Sequence, residues 1–448
     1  MSWQHGAEPI AASRPDPYKT TRSSDRHPPG DTPMPYPFRP RIRALSIAAL
    51  CAAPLASAEN VRIAFIDALS GAFAPPGTTA LKNFQMIADV ANQQKWAGPG
   101  NTIEVIGFDG KGSPQESLTQ LKTAIDQGYR YITQGGGSGV ALALVDAVNK
   151  HNERNVGKEV VYLDFAALDP DLTNSKCSFW HFRFEPNSDM RMEALTTYIA
   201  KDPSIKKVYI LGQNYALGHQ VSRAAKEYLK RKRPDIQIVG DDLHPIATVK
   251  DFSPYVAKIK ASGADAVITG NWGNDLALLI KAAKDADLKT NFFTYTAYTT
   301  GVPTAMGAAG VDRVKNVSNW NVNNETFAGH EIVEAFKKKY NEDYWLMSSH
   351  SAITMLSKAI KTTGSTDPVK VAFAMEGMTV KSFNGDVEMR KTDHQAQQPI
   401  YLTNWVKLNG KDVKYDQENT GYGWKTEQKI GTFVAAQPTS CEMKRPGR

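Results

Sequence analysis

From residue 59 onward, short apolar runs alternate with stretches whose apolar residues recur at helical spacing. Residues 61–66 form a compact β-rich run, and residues 79–95 then place Leu81, Phe84, Ile87, Ala88 and Ala91 on one helical face. A strand is predicted over 103–108. Ser113-Pro114-Gln115-Glu116 is a capping box with proline at the first helical position, and it opens a helix to about residue 127. A strand at 129–133, the turn Gly135-Gly136-Gly137-Ser138, a helix to about residue 150 and a strand at 160–165 continue the series. Strands alternating with helices in this way predict an α/β fold with parallel sheets and helices on both faces.

After residues 178–184 a second series repeats the plan. Its strands are predicted at 208–211, 236–239, 266–269 and 292–295, and its helices near 188–200, 217–231, 253–261 and 274–286. Ser253-Pro254 repeats the cap-then-proline start. A chain of 448 residues is too long for one ordinary core, so two lobes are expected. The last third differs. Helices are predicted near 326–340, 345–363 and 369–375, then a hairpin around Asn384-Gly385 and a strand at 400–407. Elements appended after two sheets must pack on the existing lobes, and several crossings between lobes make a hinge.

The first 58 residues follow another pattern. Residues 1–40 are rich in Pro, Ser and Arg and carry almost no apolar periodicity. Arg39-Pro40-Arg41-Ile42-Arg43, an apolar run over 44–55 and Ala56-Ser57-Ala58 then give the layout of a secretory signal peptide, with cleavage expected before Glu59. Cys51 is preceded by Leu50, where a lipid-attachment box needs a small residue, so lipidation is not expected. Residues 1–58 hold seven Lys/Arg and four Asp/Glu, so cleavage takes the net charge from +7 to +4. The densest basic run, Lys230-Arg231-Lys232-Arg233, ends a predicted helix, where cations suit the dipole, and a nucleic-acid partner is not expected. Export also leaves Cys177 and Cys441 as an even pair, which predicts a disulfide from the C-terminal tail to the middle of the chain.

Composition is that of a soluble globular chain, 41% apolar and 22% charged. The histidines His151, His181, His219, His244, His330, His350 and His394 are scattered without metal-ligand spacing, so no metal site is expected. The turn after the first strand, 69–77, does not fit G-x-G-x-x-G, and Ser138 has Gly136 before it but Val140 after it. No cofactor loop and no nucleophile elbow are present, so an enzyme is not expected. In open α/β sheets ligands bind beyond the C-terminal ends of strands, near helix N-termini. The turns there carry Ser70 and Phe73, Ser138, Ala166 and Ala167, Asn214 and Tyr215, Asn271 and Trp272, and residues 295–298. Backbone N–H groups beside Ser138 suit a carboxylate, and the aromatics suit an apolar or aromatic body.

Specific strings carry a family likeness. Residues 109–118 (DGKGSPQESL), 251–267 (DFSPYVAKIKASGADAV), Tyr215-Ala216-Leu217-Gly218, and Met389-Arg390 with Asp393-His394-Gln395 resemble the periplasmic branched-chain amino-acid binding proteins of ABC transporters, in order along the chain from residue 59. The resemblance implies two Rossmann-like lobes joined by a hinge of three crossings that close on ligand, with 59–185 plus 320–398 as one lobe and 186–319 plus 399–448 as the other and the tail. It implies ligand contacts at Ser138, Ala166, Leu168 and Tyr215, with Asn271 or Trp272 and the Tyr295-Thr296 turn nearby; Ser70 and Phe73 join them from the first turn. It implies a small-molecule ligand, an inner-membrane permease as partner, a periplasmic monomer and no cofactor. Family members that bind amino acids carry an acidic residue at that last turn, whereas here Thr296 stands there without a carboxylate nearby in the turn. A buried ammonium without a counter-charge is costly. The expected ligand is therefore a carboxylate or amide with an apolar or aromatic body. An α-amino acid is the other reading, if Asp67, Asp164, Asp169 or Glu185 supplies the charge. A ligand-sensing domain of a receptor system would share the fold but is usually joined to a transmembrane or signalling segment. An α/β hydrolase or dehydrogenase would show itself by turnover of its ligand.

Overall fold

A computed structural model describes residues 59–447. The basic and apolar N-terminal segment, Cys51 and the expected cleavage after Ala58 lie outside the described residues. The first sheet contains β1 (Asn60–Asp67), β2 (Thr102–Asp109), β3 (Tyr131–Gln134), β4 (Val161–Asp164) and β5 (His181–Arg183). Their order is β2-β1-β3-β4-β5, with every pair parallel. Strands β3 and β4 are buried throughout, as a sheet covered on both faces requires. Helices α1 (Ala74–Gln93), α2 (Pro114–Asp126) and α3 (Ser138–Arg154) connect the first four strands. Helix α1 begins more than a turn earlier than its apolar spacing predicts. Pro75 and Pro76 occupy its first turn, where no N–H partner is needed.

The chain leaves this sheet after Arg183 and builds a second one. Helix α4 (Ser188–Ile199) leads to β6 (Lys207–Gln213), α5 (Ala216–Lys232), β7 (Gln237–His244), α6 (Ser253–Ser262), β8 (Ala266–Thr269), α7 (Gly273–Asp285), β9 (Asn291–Thr294), α8 (Val302–Met306) and β10 (Val314–Ser318). The chain then returns to the first lobe with α9 (His330–Tyr340), α10 (Met347–Thr363), which packs along α1, and α11 (Pro368–Met375). A small antiparallel sheet follows, of β11 (Thr379–Ser382), β12 (Gly385–Met389) and β13 (Ala396–Gln397). A third crossing delivers β14 (Ile400–Lys407), β15 (Tyr422–Ile430) and α12 (Thr432–Ala435). The second sheet runs β15-β14-β10-β9-β8-β6-β7. It is parallel from β7 to β10, and β14 and β15 extend it antiparallel at one edge. Strand β15 escapes an apolar-run reading because it is an edge strand. Lys425, Glu427 and Lys429 are exposed along it and keep it polar. The basic run at the end of α5 is partly neutralised, since Arg231 and Lys232 both pair with Glu193.

Beyond α12 the chain turns back to the first lobe, where the sulfurs of Cys441 and Cys177 lie 2.07 Å apart with their Cα atoms 5.7 Å apart. Among the described residues no helix is long and apolar enough to cross a membrane.

The three crossings are tied to one another. Asn319 on the second crossing donates to Glu185 Oε2 on the first and to Gln398 Oε1 on the third, both at 3.1 Å. Gln398 Nε2 in turn donates to Phe184 O at 2.6 Å. Beneath them Arg191 of α4 is fully buried. It pairs with Glu185, and it donates to Pro186 O at 3.1 Å, to Val317 O at 2.8 Å and to Tyr295 O. Replacing Arg191 by Leu strands a buried carboxylate and is expected to cost about 3–5 kcal/mol in urea unfolding. Removing Lys122 from its exposed pair with Asp126 should cost less than about 0.5 kcal/mol. Equal losses would contradict this account of the hinge.

Candidate functional site

The strand ends of both sheets face one another across a cleft. From the first lobe Asp67, Phe73, residues 135–138, Phe165, Ala166, Leu168 and Trp345 line it. From the second come Arg191, Tyr215, Leu217, Trp272, Thr296, Tyr298 and Thr299, with Glu185 at the first crossing. The cavity they enclose is tight, about 70 Å³.

Each wall is held from behind. Asp109 accepts from the N–H groups of Leu69 and Lys111 at 3.0 and 2.9 Å and from Ser70 Oγ at 2.6 Å, which fixes the loop that carries Phe73. Backbone hydrogen bonds to the loop and the Ser70 hydroxyl hold the Asp109 carboxyl below its usual range, although burial, the largest single influence, acts the other way. Asp164 accepts from the N–H groups of Ala166 and Ala167 at 3.1 and 2.8 Å. In the second lobe, Asn271 Nδ2 lies 2.8 Å from His244 Nε2, and the Asn271 backbone carbonyl accepts from Thr296 Oγ1 at 2.9 Å. His244 Nδ1 lies 3.0 Å from Pro245 O, so the proton sits on Nδ1 and Nε2 accepts from Asn271.

Of the residues expected from sequence, Phe73, Ser138, Ala166, Leu168, Tyr215, Trp272 and Thr296 all line the cleft. Ser70 is exposed and braces the Phe73 loop, while Asn271 and Tyr295 are buried behind the lining. Of the four carboxylates considered as counter-charges, Asp67 and Glu185 line the cleft; Asp164 and Asp169 do not. Sequence reasoning did not single out Arg191, Leu217, Thr299 or Trp345. A lone arginine among Met190, Met192, Ala194 and Leu195 was the available signal for Arg191.

The cleft is polar at the glycine turn, where α3 begins at Ser138 behind Gly137, whose φ of 93° only glycine adopts readily. Ser138 Oγ accepts from Asp169 N–H at 3.2 Å, so its own proton is free to donate into the cleft. Among the described residues no acceptor lies on the N–H of Ser138 or Leu168. The start of α3 attracts an anion. Beside it Asp67 is 4% exposed and accepts from the N–H groups of Ala68, Gly135 and Gly136 at 2.7, 3.1 and 2.8 Å. Burial raises its pKa despite those bonds. Burial also raises the pKa of Glu185, against the pull of Arg191.

The lobes meet over this site. The Phe73 and Trp272 rings stack at 4.0 Å and 20°, and Trp272 Nε1 donates to Tyr215 Oη at 2.9 Å. Trp345 Nε1 reaches Thr300 Oγ1 of the other lobe at 3.1 Å.

Two lobes that meet over one polar and aromatic cleft suit the capture of a small solute, and the comparisons identify the family. Residues 60–412 match the family model described as periplasmic binding protein. The Leu/Ile/Val-binding protein homolog 4 of Brucella abortus is 34% identical, over 90% of this chain and 97% of its own length. A leucine-, isoleucine-, valine-, threonine- and alanine-binding protein from Brucella ovis, in its closed conformation, is 31% identical with a TM-score of 0.75. That likeness spans 87% of this chain and all of the other. A solute-binding protein of an R. palustris ABC transporter, in complex with 4-hydroxybenzoate, shares the fold at a TM-score of 0.69 and 20% identity, over 83% of this chain and 97% of its own. The chain belongs to the periplasmic binding protein family, as a substrate-binding component of the branched-chain amino-acid type of ABC transporter.

Two glycines of the 135–139 turn should respond oppositely to alanine. A Cβ on Gly136 would lie 2.3 Å from Asp67 Oδ1, so Gly136→Ala is expected to cost about 1–3 kcal/mol in urea unfolding. Gly139 has nothing within 4 Å of that position and lies in α3, so Gly139→Ala should be neutral or stabilising by up to about 1 kcal/mol. Equal effects would contradict the tight seat described for Asp67.

Proposed function

We propose that this chain is the exported ligand-capturing component of an ABC importer and that its ligand is a small α-amino acid with an apolar side chain. The observation that carries the ligand class is Asp67. It is buried on the wall that also holds Ser138, and among the described residues no cation pairs with it. The charge of Glu185 is already met by Arg191. The ligand carboxylate accepts from the Ser138 hydroxyl and from the N–H groups of Ser138 and Leu168. Its ammonium faces Asp67, which supplies the counter-charge that Thr296 does not. Its side chain packs on Phe73, Tyr215, Leu217, Trp272 and Trp345. The leucine-, isoleucine-, valine-, threonine- and alanine-binding protein at 31% identity and the Leu/Ile/Val-binding protein homolog at 34% support this reading.

In this account residues 1–58 are removed at Ala58, and the Cys177–Cys441 pair is oxidised in the periplasm. The lobes are residues 59–185 with 320–398 and residues 186–319 with 399–448, the last of these residues being the tail. The protein works as a monomer. Ligand contacts on both lobes shift the population to the closed form, which the permease reads.

A second reading, an aromatic carboxylate, is favoured by the aromatic walls and by Thr296. The two readings differ in the sign of their pH dependence. An ammonium needs Asp67 ionised, so leucine should bind more tightly as pH rises through the raised Asp67 pKa. Benzoate is repelled by the ionised form and should bind more tightly as pH falls. Calorimetric titration of both ligands is expected to show the first trend, with leucine affinity reduced at least about 100-fold by Asp67→Asn. Leucine binding indifferent to Asp67→Asn, or benzoate bound more tightly than leucine, would assign the cleft to the aromatic acid.

A further inference from the structure

Strand β15 ends in the second lobe, and α12 packs there on α4. Gln437 is then held from both lobes. Its side chain accepts from Tyr228 Oη of α5 at 3.1 Å, and its carbonyl accepts from Arg390 Nη1 of the first lobe at 2.7 Å. Beyond it the segment lies on the first lobe. Thr439 Oγ1 donates to Thr173 O at 2.8 Å, Ser440 N–H donates to Asn174 Oδ1 at 3.0 Å, and Cys441 meets Cys177. These three anchors share one stretch of chain, the connection between β4 and β5. That same connection presents Ala166 and Leu168 to the cleft, and its Asp169 N–H holds Ser138 Oγ. Arg183 clamps it from beneath through Asp169 O and Thr173 Oγ1. The tail therefore links the ligand-bearing wall of one lobe to α5 of the other.

We propose that residues 437–445 form a fourth, covalently anchored crossing that positions the 166–174 connection and limits how far the lobes part. Single hydrogen bonds contribute about 1 kcal/mol each and would let the tail detach as the lobes open. The Cys177–Cys441 bond keeps the anchored end in place, so the tether acts throughout the opening motion. This tether is independent of what the cleft binds.

Hydrogen exchange read by mass spectrometry on the full chain tests the proposal without any ligand. The oxidised chain is compared with Cys441→Ser and with a chain ending at Ala436. In both variants amides 166–174 should exchange at least about tenfold faster, and so should the first turn of α7, which faces Phe73 across the cleft. Faster exchange confined to the tail and to residues 173–178, with 166–172 and the first turn of α7 unchanged, would make the tail a local staple and overturn the proposal. If a variant loses protection throughout β1 and β3 it has unfolded. Reduction of the unaltered chain by a phosphine then provides the same comparison, with the same two outcomes.

Discussion

Arg191 sits fully buried where the chain passes between its lobes, and acceptors from several segments satisfy its guanidinium. A charge in such a place is tolerable only when it is paired and fully hydrogen-bonded. Glu185 supplies the pairing, and Asn319 carries the tie onward to Glu185 and to the third crossing. The geometry of the crossings is therefore set by polar groups that lose heavily if separated. Closure can rotate the lobes about this cluster but cannot easily pull it apart. Because Glu185 and Arg191 also line the cleft, the pivot and the ligand share a wall.

Above that pivot the cleft sets opposite electrostatic preferences side by side. The start of α3 and the Ser138 hydroxyl favour an anion, and Asp67 beside them favours a cation. The glycine turn makes the juxtaposition possible, since a side chain at Gly136 would displace the Asp67 carboxylate. The rest of the lining is largely aromatic or aliphatic. The Phe73–Trp272 stack and the Trp345–Thr300 hydrogen bond form only when the lobes meet, so they contribute to the closed state alone. A ligand that spans both walls adds its differential contacts to those.

Much of this was legible in the chain itself. The βα alternation, the Ser113 cap and the apolar strands report local and two-faced burial, which period and propensity record directly. Strand β15 was not legible, because an edge strand needs no apolar run. The early start of α1 was hidden by prolines that usually signal a break. In the site, turn residues such as Ser138, Tyr215 and Trp272 could be placed from strand ends. Arg191 and Trp345 could not, because they reach the cleft from a helix and from the α9–α10 loop, which only the folded chain brings near. The missing acid at Thr296 was visible, but its replacement required seeing that Asp67 and Glu185 face the cleft while Asp164 and Asp169 do not.

The central claim is that a zwitterion lies between the start of α3 and Asp67. A crystal structure of the protein with leucine tests it most directly. The account predicts closed lobes, the leucine carboxylate on the Ser138 and Leu168 N–H groups, and the ammonium within hydrogen-bond distance of Asp67. A leucine whose ammonium rests elsewhere with Asp67 unengaged, or an empty cleft at saturating leucine, would contradict it.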